Sequence, residues 1–127
     1  MKKILIVDDI KGWRDYHSQV LKNIFSEDCE IQTVDSARAG YDKLLENNDK
    51  PFDIILTDLQ MESDFEPKYA GEWFVEQIKT FKNYYKTKII IISATYNINV
   101  IADNLGVFYI RKSTARSFPD SYKELVV

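Results

Sequence analysis

Three short runs of branched apolar residues constrain the fold of this chain more than any other feature. They span residues 4–7, 54–56 and 89–92, and each is bounded by polar residues. Runs of this length are too short for a helix and are typical of strands buried on both faces of a parallel sheet. Such a sheet needs helices on both faces, so the segments between the runs are expected to be helical.

The intervening segments have the periodicity that this fold requires. Apolar residues recur with helical spacing over residues 13–24, 37–45, 73–81 and 98–105, and in the second of these helices Leu44 and Leu45 are both predicted to face inward. Residues 29–33 predict a half-exposed edge strand, residues 107–110 a fifth strand, and residues 62–69 a loop containing Pro67. Ser36 and Ser117 are expected to cap helices, and Gly106 to end one. Strand and helix therefore alternate five times, which predicts an α/β fold with right-handed crossovers.

Length and composition narrow the class of protein. The 127 residues suit a single domain spanning 1–127, and the net charge of -3 gives no electrostatic reason to expect nucleic acid as a direct partner. The lone Cys29 excludes an internal disulfide and a cysteine-based zinc site, and it favours a reducing, cytoplasmic setting. No segment approaches the roughly 20 apolar residues that a membrane span needs.

Polar residues stand at the ends of the predicted strands. Asp8 and Asp9 follow the first strand, Asp58 the third and Lys112 the fifth, while Ser93 ends the fourth. In a doubly wound sheet, ligands bind beyond the carboxyl ends of the strands. If the first and third strands are neighbours, three carboxylates converge there. An all-oxygen acidic cluster suits a hard divalent cation, with Mg²⁺ the usual one where phosphate is handled.

The remaining strand-end residues indicate the chemistry of this site. The Ser93 hydroxyl and the Lys112 ammonium are groups that hold phosphoryl oxygens. A divalent cation, an ammonium and a hydroxyl around one carboxylate suit phosphoryl transfer, which depends mainly on positioning and charge neutralisation. Asp58, in the middle of the set, is the candidate nucleophile that forms an aspartyl-phosphate.

Four segments in this order resemble the receiver domain of two-component response regulators. They are IVDD (6–9), DIILTDLQM (53–61), IISA (91–94) and YIRK (109–112), and the resemblance covers nearly the whole chain. It implies a flavodoxin-like, doubly wound sheet of five parallel strands in the order 2-1-3-4-5. It also implies a signalling module of a phosphorelay, whose only intrinsic chemistry is self-phosphorylation and hydrolysis, and not a conventional enzyme.

The resemblance implies a role for each strand-end residue. Asp58 accepts the phosphoryl group from a sensor histidine kinase or a phosphotransfer protein. Asp9, Asp58 and the backbone carbonyl of Gln60 ligate Mg²⁺, and Asp8 holds the metal through water. Lys112 and Ser93 bind phosphoryl oxygens.

Further roles follow by the same resemblance. Ser93 and Tyr109 form the conformational switch, while Gln60 and Thr95 tune the lifetime of the phosphoryl group. Helix 4, strand 5 and helix 5 form the output face, with a homodimer as one use of that face and the downstream protein partner left unidentified.

Departures from the family pattern support an alternative, a degenerate receiver that acts as a non-phosphorylated protein-binding module. Glu62 stands after Met61, and Ser113 after Lys112, at positions where the family usually has proline, and the fourth helix is short. A flavodoxin-like mononucleotide site is disfavoured, because the acids after strand one would repel phosphate unless a cation were present. A haloacid-type phosphatase is disfavoured because Ile10 occupies the place of its second aspartate. His17 is interpreted as a surface residue of the first helix.

Overall fold

The computed structural model describes residues 1–61 and 69–127. The strands are β1 (Lys2–Val7), β2 (Cys29–Val34), β3 (Ile54–Thr57), β4 (Lys88–Ser93) and β5 (Phe108–Arg111). The helices are α1 (Lys11–Phe25), α2 (Ala37–Glu46), α3 (Ala70–Thr80), α4 (Ile98–Leu105), α5 (Lys112–Ser117) and α6 (Asp120–Val126), with a 3₁₀ helix at Lys82–Tyr84. Most of the loop predicted at residues 62–69 lies outside the described residues. Within the described residues, no helix is both long and apolar enough to cross a membrane.

The strands form one sheet in the order β2-β1-β3-β4-β5, and all neighbouring pairs are parallel. This is the predicted flavodoxin-like topology, with the order reversing beside β1. The edge position of β2 explains why its side chains are only partly buried, and the burial of β3 on both faces explains its continuous apolar run.

Side chains of the central strands alternate between two separate cores. Leu5, Ile55 and Ile91 pack on one face against α2, α3 and α4. Ile4, Leu56 and Ile90 pack on the other face against α1, α5 and α6. The period of two along each strand thus places helices on both faces, as predicted.

Two helix predictions differ from the structure. Leu45 is exposed while Leu44 is fully buried, because adjacent helical residues point about 100° apart and the stripe of α2 is narrow. Ser117 is the last residue of α5, and Pro119 rather than Ser117 occupies the N-cap position of α6. Phe118, which precedes Pro119, is non-helical and separates α5 from α6.

Two helix ends were predicted correctly. The Ser36 hydroxyl accepts a hydrogen bond from the Ala39 N–H at 3.1 Å at the start of α2. Gly106 ends α4 in the left-handed conformation, with φ of 70°, which glycine adopts without steric cost. Ser36 thus marks where the chain leaves β2, and Gly106 marks where it turns back toward β5.

Candidate functional site

The carboxyl ends of β1 and β3 bring three carboxylates together. The two strands are neighbours, and Val7 is in register with Thr57, so Asp8 and Asp58 leave the sheet side by side. Carboxylate oxygens of Asp8, Asp9 and Asp58 all lie within 4.8 Å of one another. Asp8 and Asp58 are buried, and Asp9 is partly exposed. The cluster is therefore accessible from one side, with two of its members set into the protein.

Lys112 supplies the positive charge of this pocket. It is the first residue of α5 and follows β5 directly. Its ammonium donates a hydrogen bond to Asp58 Oδ2 at 2.9 Å and lies 3.1 Å from Asp8 Oδ2. Only 8% of Lys112 is exposed. All peptide bonds of the described residues are trans, including the bond to Ser113.

Asp58 is held at the end of β3 by backbone contacts. Its Oδ1 accepts a hydrogen bond from the Leu59 N–H at 2.7 Å, and its own N–H donates to the Val7 carbonyl at 3.0 Å. Burial raises the pKa of Asp58, and the nearby Asp8 charge acts in the same direction, while Lys112 and the Ser93 hydroxyl oppose the rise. Added positive charge in this pocket would therefore favour the ionised, nucleophilic form.

Asp8 has a different electrostatic environment. Its Oδ1 accepts a hydrogen bond from the Ile10 N–H at 2.9 Å. Its Oδ2 is buried and makes no hydrogen bond of suitable geometry to residues 1–61 or 69–127, although the Lys112 ammonium is close. Burial acts to raise the pKa of Asp8, but His17, the Ile10 N–H and Lys112 outweigh this effect, so the pKa lies below its ordinary value.

The other predicted site residues lie after β3, on or just after β4, and on β5. Ser93 ends β4, and its Oγ is 3.0 Å from the Thr95 Oγ1; both side chains are buried. Gln60, two residues beyond Asp58, is exposed. Tyr109 lies on β5 with 41% of its surface exposed. Ser93 thus borders Asp58, while Tyr109 faces outward in this conformation.

The residues of the pocket fit a divalent cation. Among the described residues, three carboxylates face one ammonium, so these four groups together carry two negative charges when all are ionised. The oxygen-only donor set suits Mg²⁺ or Mn²⁺. Asp8 Oδ2 is a buried acceptor without a hydrogen bond in the part of the chain that the structure describes, and a cation or its bound water would satisfy it.

Two residues of this region have positions that the sequence analysis did not anticipate. The interpretation of His17 as a surface residue is wrong, because only 2% of it is exposed and it packs beneath the pocket. Its position halfway between Trp13 and Leu21 in the apolar stripe of α1 was the available signal. Gly71, in the first turn of α3, packs directly on the backbone of Asp58. No spacing rule reveals that contact.

Comparisons with known proteins agree with this geometry. A family model described as the response regulator receiver domain matches residues 4–112. A search of the curated proteins finds no match.

Solved structures give the same result. The Mn²⁺-bound form of response regulator Rcp1 is 25% identical, with 98% of this chain and 89% of that chain covered and a TM-score of 0.74. The phosphorylated cyanobacterial phytochrome response regulator RcpA is also 25% identical, with 91% and 84% covered and a TM-score of 0.74. The signal receiver domain of the DNA-binding response regulator protein (merR) from Colwellia psychrerythraea 34H is 23% identical, with 99% and 98% covered and a TM-score of 0.76, which shows the shared fold.

Proposed function

Because the chain belongs to the response regulator receiver domain family, we propose that Asp58 is its phosphoacceptor and that the domain is a switch in a phosphorelay. Receiver domains are signalling modules rather than conventional enzymes. The observation that carries the proposal is the contact between the Lys112 ammonium and Asp58 Oδ2 at 2.9 Å, made beside two further carboxylates at the same sheet edge.

The acidic cluster is the proposed Mg²⁺ site. Asp9, Asp58 and the backbone carbonyl of Gln60 would hold the ion directly, and Asp8 through water. The bound ion would neutralise charge on the incoming phosphoryl group and on the carboxylates. The Mn²⁺-bound Rcp1 supports this assignment as a similar protein that holds a divalent ion.

The chain's own residues account for the transfer step. A carboxylate oxygen of Asp58 bonds to phosphorus as the phosphorus–nitrogen bond of a phosphohistidine breaks, and the electron pair of that bond stays on the leaving imidazole. The Leu59 N–H orients the Asp58 carboxylate from behind. Lys112 and the Ser93 hydroxyl are placed to bind phosphoryl oxygens, since both border Asp58.

The phosphoryl group is proposed to act on a protein-binding surface. Transfer would recruit Lys112 and Ser93 to the phosphoryl oxygens, and Tyr109, half-exposed on β5, would then turn inward. Gln60 and Thr95 would tune how long the acyl phosphate lasts. The output face would be α4, β5 and α6, the last of the five helices predicted from the sequence, and it would bind a protein partner or a second copy of the chain. Its kinase or phosphotransfer partner would meet it in the cytoplasm, which the free thiol of Cys29 suits.

Labelling with a small phosphodonor tests this proposal. Wild-type protein should incorporate one phosphoryl group from acetyl phosphate or phosphoramidate in the presence of Mg²⁺ and none after chelation. Asp58→Asn should abolish labelling. Asp103→Asn, an equivalent change at an exposed position of α4, should leave it unchanged. Equal labelling of wild type and Asp58→Asn would refute the assignment of Asp58.

The alternative function is a non-phosphorylated binding module. Ser113 in place of a proline motivates it, but Lys112 reaches Asp58 nonetheless. Absence of both Mg²⁺ binding and labelling in folded wild-type protein would favour this alternative.

A further inference from the structure

A chain of three buried polar side chains runs from the acidic pocket into the core beneath α1. Exposed fractions are 0% for Asp8, 2% for His17 and 0% for Tyr122. His17 Nδ1 is 2.7 Å from the Tyr122 hydroxyl, and His17 Nε2 is 3.9 Å from Asp8 Oδ2. The proposed function uses Asp8 but neither of the other two residues.

The hydrogen bond to Tyr122 determines which imidazole nitrogen carries the proton. Within the described residues, the Tyr122 hydroxyl has no second hydrogen-bond partner. Burial raises the pKa of Tyr122, so its hydroxyl stays protonated and needs an acceptor. A buried O–H without an acceptor is unfavourable, so the hydroxyl donates to Nδ1. In the neutral imidazole the hydrogen is then on Nε2, which faces Asp8.

The Nε2–H group faces Asp8 Oδ2, the carboxylate oxygen to which the described residues donate no hydrogen bond. At 3.9 Å the contact with Asp8 Oδ2 is longer than a hydrogen bond, so it is electrostatic in this structure. Together with the Ile10 N–H on Oδ1 and the Lys112 ammonium near Oδ2, this electrostatic attraction favours one orientation of the carboxylate. Trp13, with its ring centre 5.4 Å from that of His17, restricts the imidazole in turn.

We propose that His17 and Tyr122 are positioning residues for the divalent-cation site: the tyrosine hydroxyl selects the Nε2–H tautomer, and this N–H holds Asp8 in the orientation that serves the ion. The inference rests on the proposed function, because it requires a cation at Asp8. Groups that orient metal-binding side chains in this way commonly change metal affinity by about 10- to 100-fold when they are removed.

The tautomer is directly measurable, because His17 is the only histidine in the chain. In ¹⁵N-labelled wild-type protein, the ring nitrogen shifts should show an Nε2–H imidazole. Tyr122→Phe should shift the population toward the other tautomer. A predominantly Nδ1–H imidazole in the wild type would overturn the inference.

Mg²⁺ affinity, measured by calorimetry, tests the effect on the site. Tyr122→Phe should weaken binding about tenfold, the lower end of the usual range. Tyr84→Phe is the matched control, since Tyr84 is also buried and its hydroxyl donates to the Leu44 carbonyl at 2.9 Å on the opposite face of the sheet. Tyr84→Phe should be less stable than the wild type but should keep the wild-type affinity for Mg²⁺.

Substitutions of His17 itself separate positioning from packing. His17→Gln keeps an N–H donor at a similar reach and should bind Mg²⁺ more tightly than His17→Leu. If His17→Leu fails to fold, Tyr122→Phe decides the question. Wild-type affinity in Tyr122→Phe overturns the inference and leaves the proposed function standing, whereas a wild-type protein that binds no Mg²⁺ refutes the metal site itself and the inference with it.

Discussion

Replacement of Gly71 by alanine should displace the segment that carries Asp58. A Cβ added at Gly71 would lie 2.0 Å from the Asp58 carbonyl oxygen, 2.6 Å from Leu59 Cα and 2.9 Å from the Asp58 carbonyl carbon. All three atoms belong to the backbone, so no side-chain rotation relieves the overlap. The Gly71 N–H also donates to the Leu59 carbonyl at 2.9 Å, which ties α3 to the same segment.

The expected loss of folding stability is large for a substitution that adds a single methyl group. Overpacking of this kind costs about 3 kcal/mol, which exceeds the gain of up to about 1 kcal/mol that alanine brings to a helix over glycine. The free energy of unfolding should therefore fall by about 2 kcal/mol or more. Gly12→Ala is the matched control in the first turn of α1, where the added Cβ meets nothing within 4 Å. It should leave stability equal or slightly raised.

Urea denaturation of the two variants and the wild type measures this difference, and the Mg²⁺ affinity of each variant reports on the site. Gly71→Ala should lose both stability and Mg²⁺ affinity, because the Asp58 carbonyl must move and its carboxylate moves with it. If Gly71→Ala is as stable as Gly12→Ala and binds Mg²⁺ as tightly, the close approach of α3 to Asp58 is not as described and the reasoning is refuted.

Three further predictions concern the charges of the pocket. Lys112→Met leaves two buried carboxylates without their counter-charge, so the free energy of unfolding should fall by about 3–5 kcal/mol at pH 7. Added Mg²⁺ should reduce this loss. Unchanged stability in urea denaturation would contradict the prediction. Burial raises the pKa of Asp58 in the folded protein, so its ionisation at neutral pH opposes folding, and this penalty shrinks as the pH falls from the folded-state pKa to the lower unfolded-state pKa. Asp58→Asn should therefore raise stability at pH 7 by an amount that shrinks in acid, and a variant less stable than wild type at pH 7 would show the sign to be wrong. Asp8→Asn should have the opposite effect and lower the stability at pH 7. Burial acts to raise the pKa of Asp8, but His17, the Ile10 N–H and Lys112 outweigh it and lower that pKa. The ionised carboxylate therefore stabilises the folded protein above the unfolded-state pKa, and this stability is lost as the pH falls through the folded-state pKa. A thermal-melt series across pH checks both signs.

The fold was predictable because local pattern and global topology agree. Continuous apolar runs such as that of β3 occur in strands covered on both faces, and the stripe of α1 has a clear helical period. The exposure of Leu45 was not predictable from periodicity, because contacts with neighbouring helices decide how wide the buried stripe of α2 is. The end of α5 at Ser117 was not predictable from periodicity either, because apolar spacing does not show where a helix ends. A proline effect on Phe118 was available in the sequence and was overlooked.

The site was predictable where it depends on strand ends and not where it depends on packing across elements. Parallel strands place their carboxyl ends at one edge, so the convergence of Asp8, Asp9 and Asp58 followed from their positions after β1 and β3. The burial of His17 depends on its contact with Tyr122, 105 residues later in the chain. No short-range rule contains that contact, although the place of His17 in the apolar stripe of α1 pointed to burial.

Mapping of the modified residue tests the central claim most directly. Wild-type protein treated with acetyl phosphate and Mg²⁺ should carry one hydroxylamine-sensitive acyl phosphate, and peptide mass spectrometry should place it on Asp58. A stable phosphate on a serine, threonine or tyrosine, an acyl phosphate on another carboxylate, or modification that proceeds equally well without a divalent ion would contradict the account.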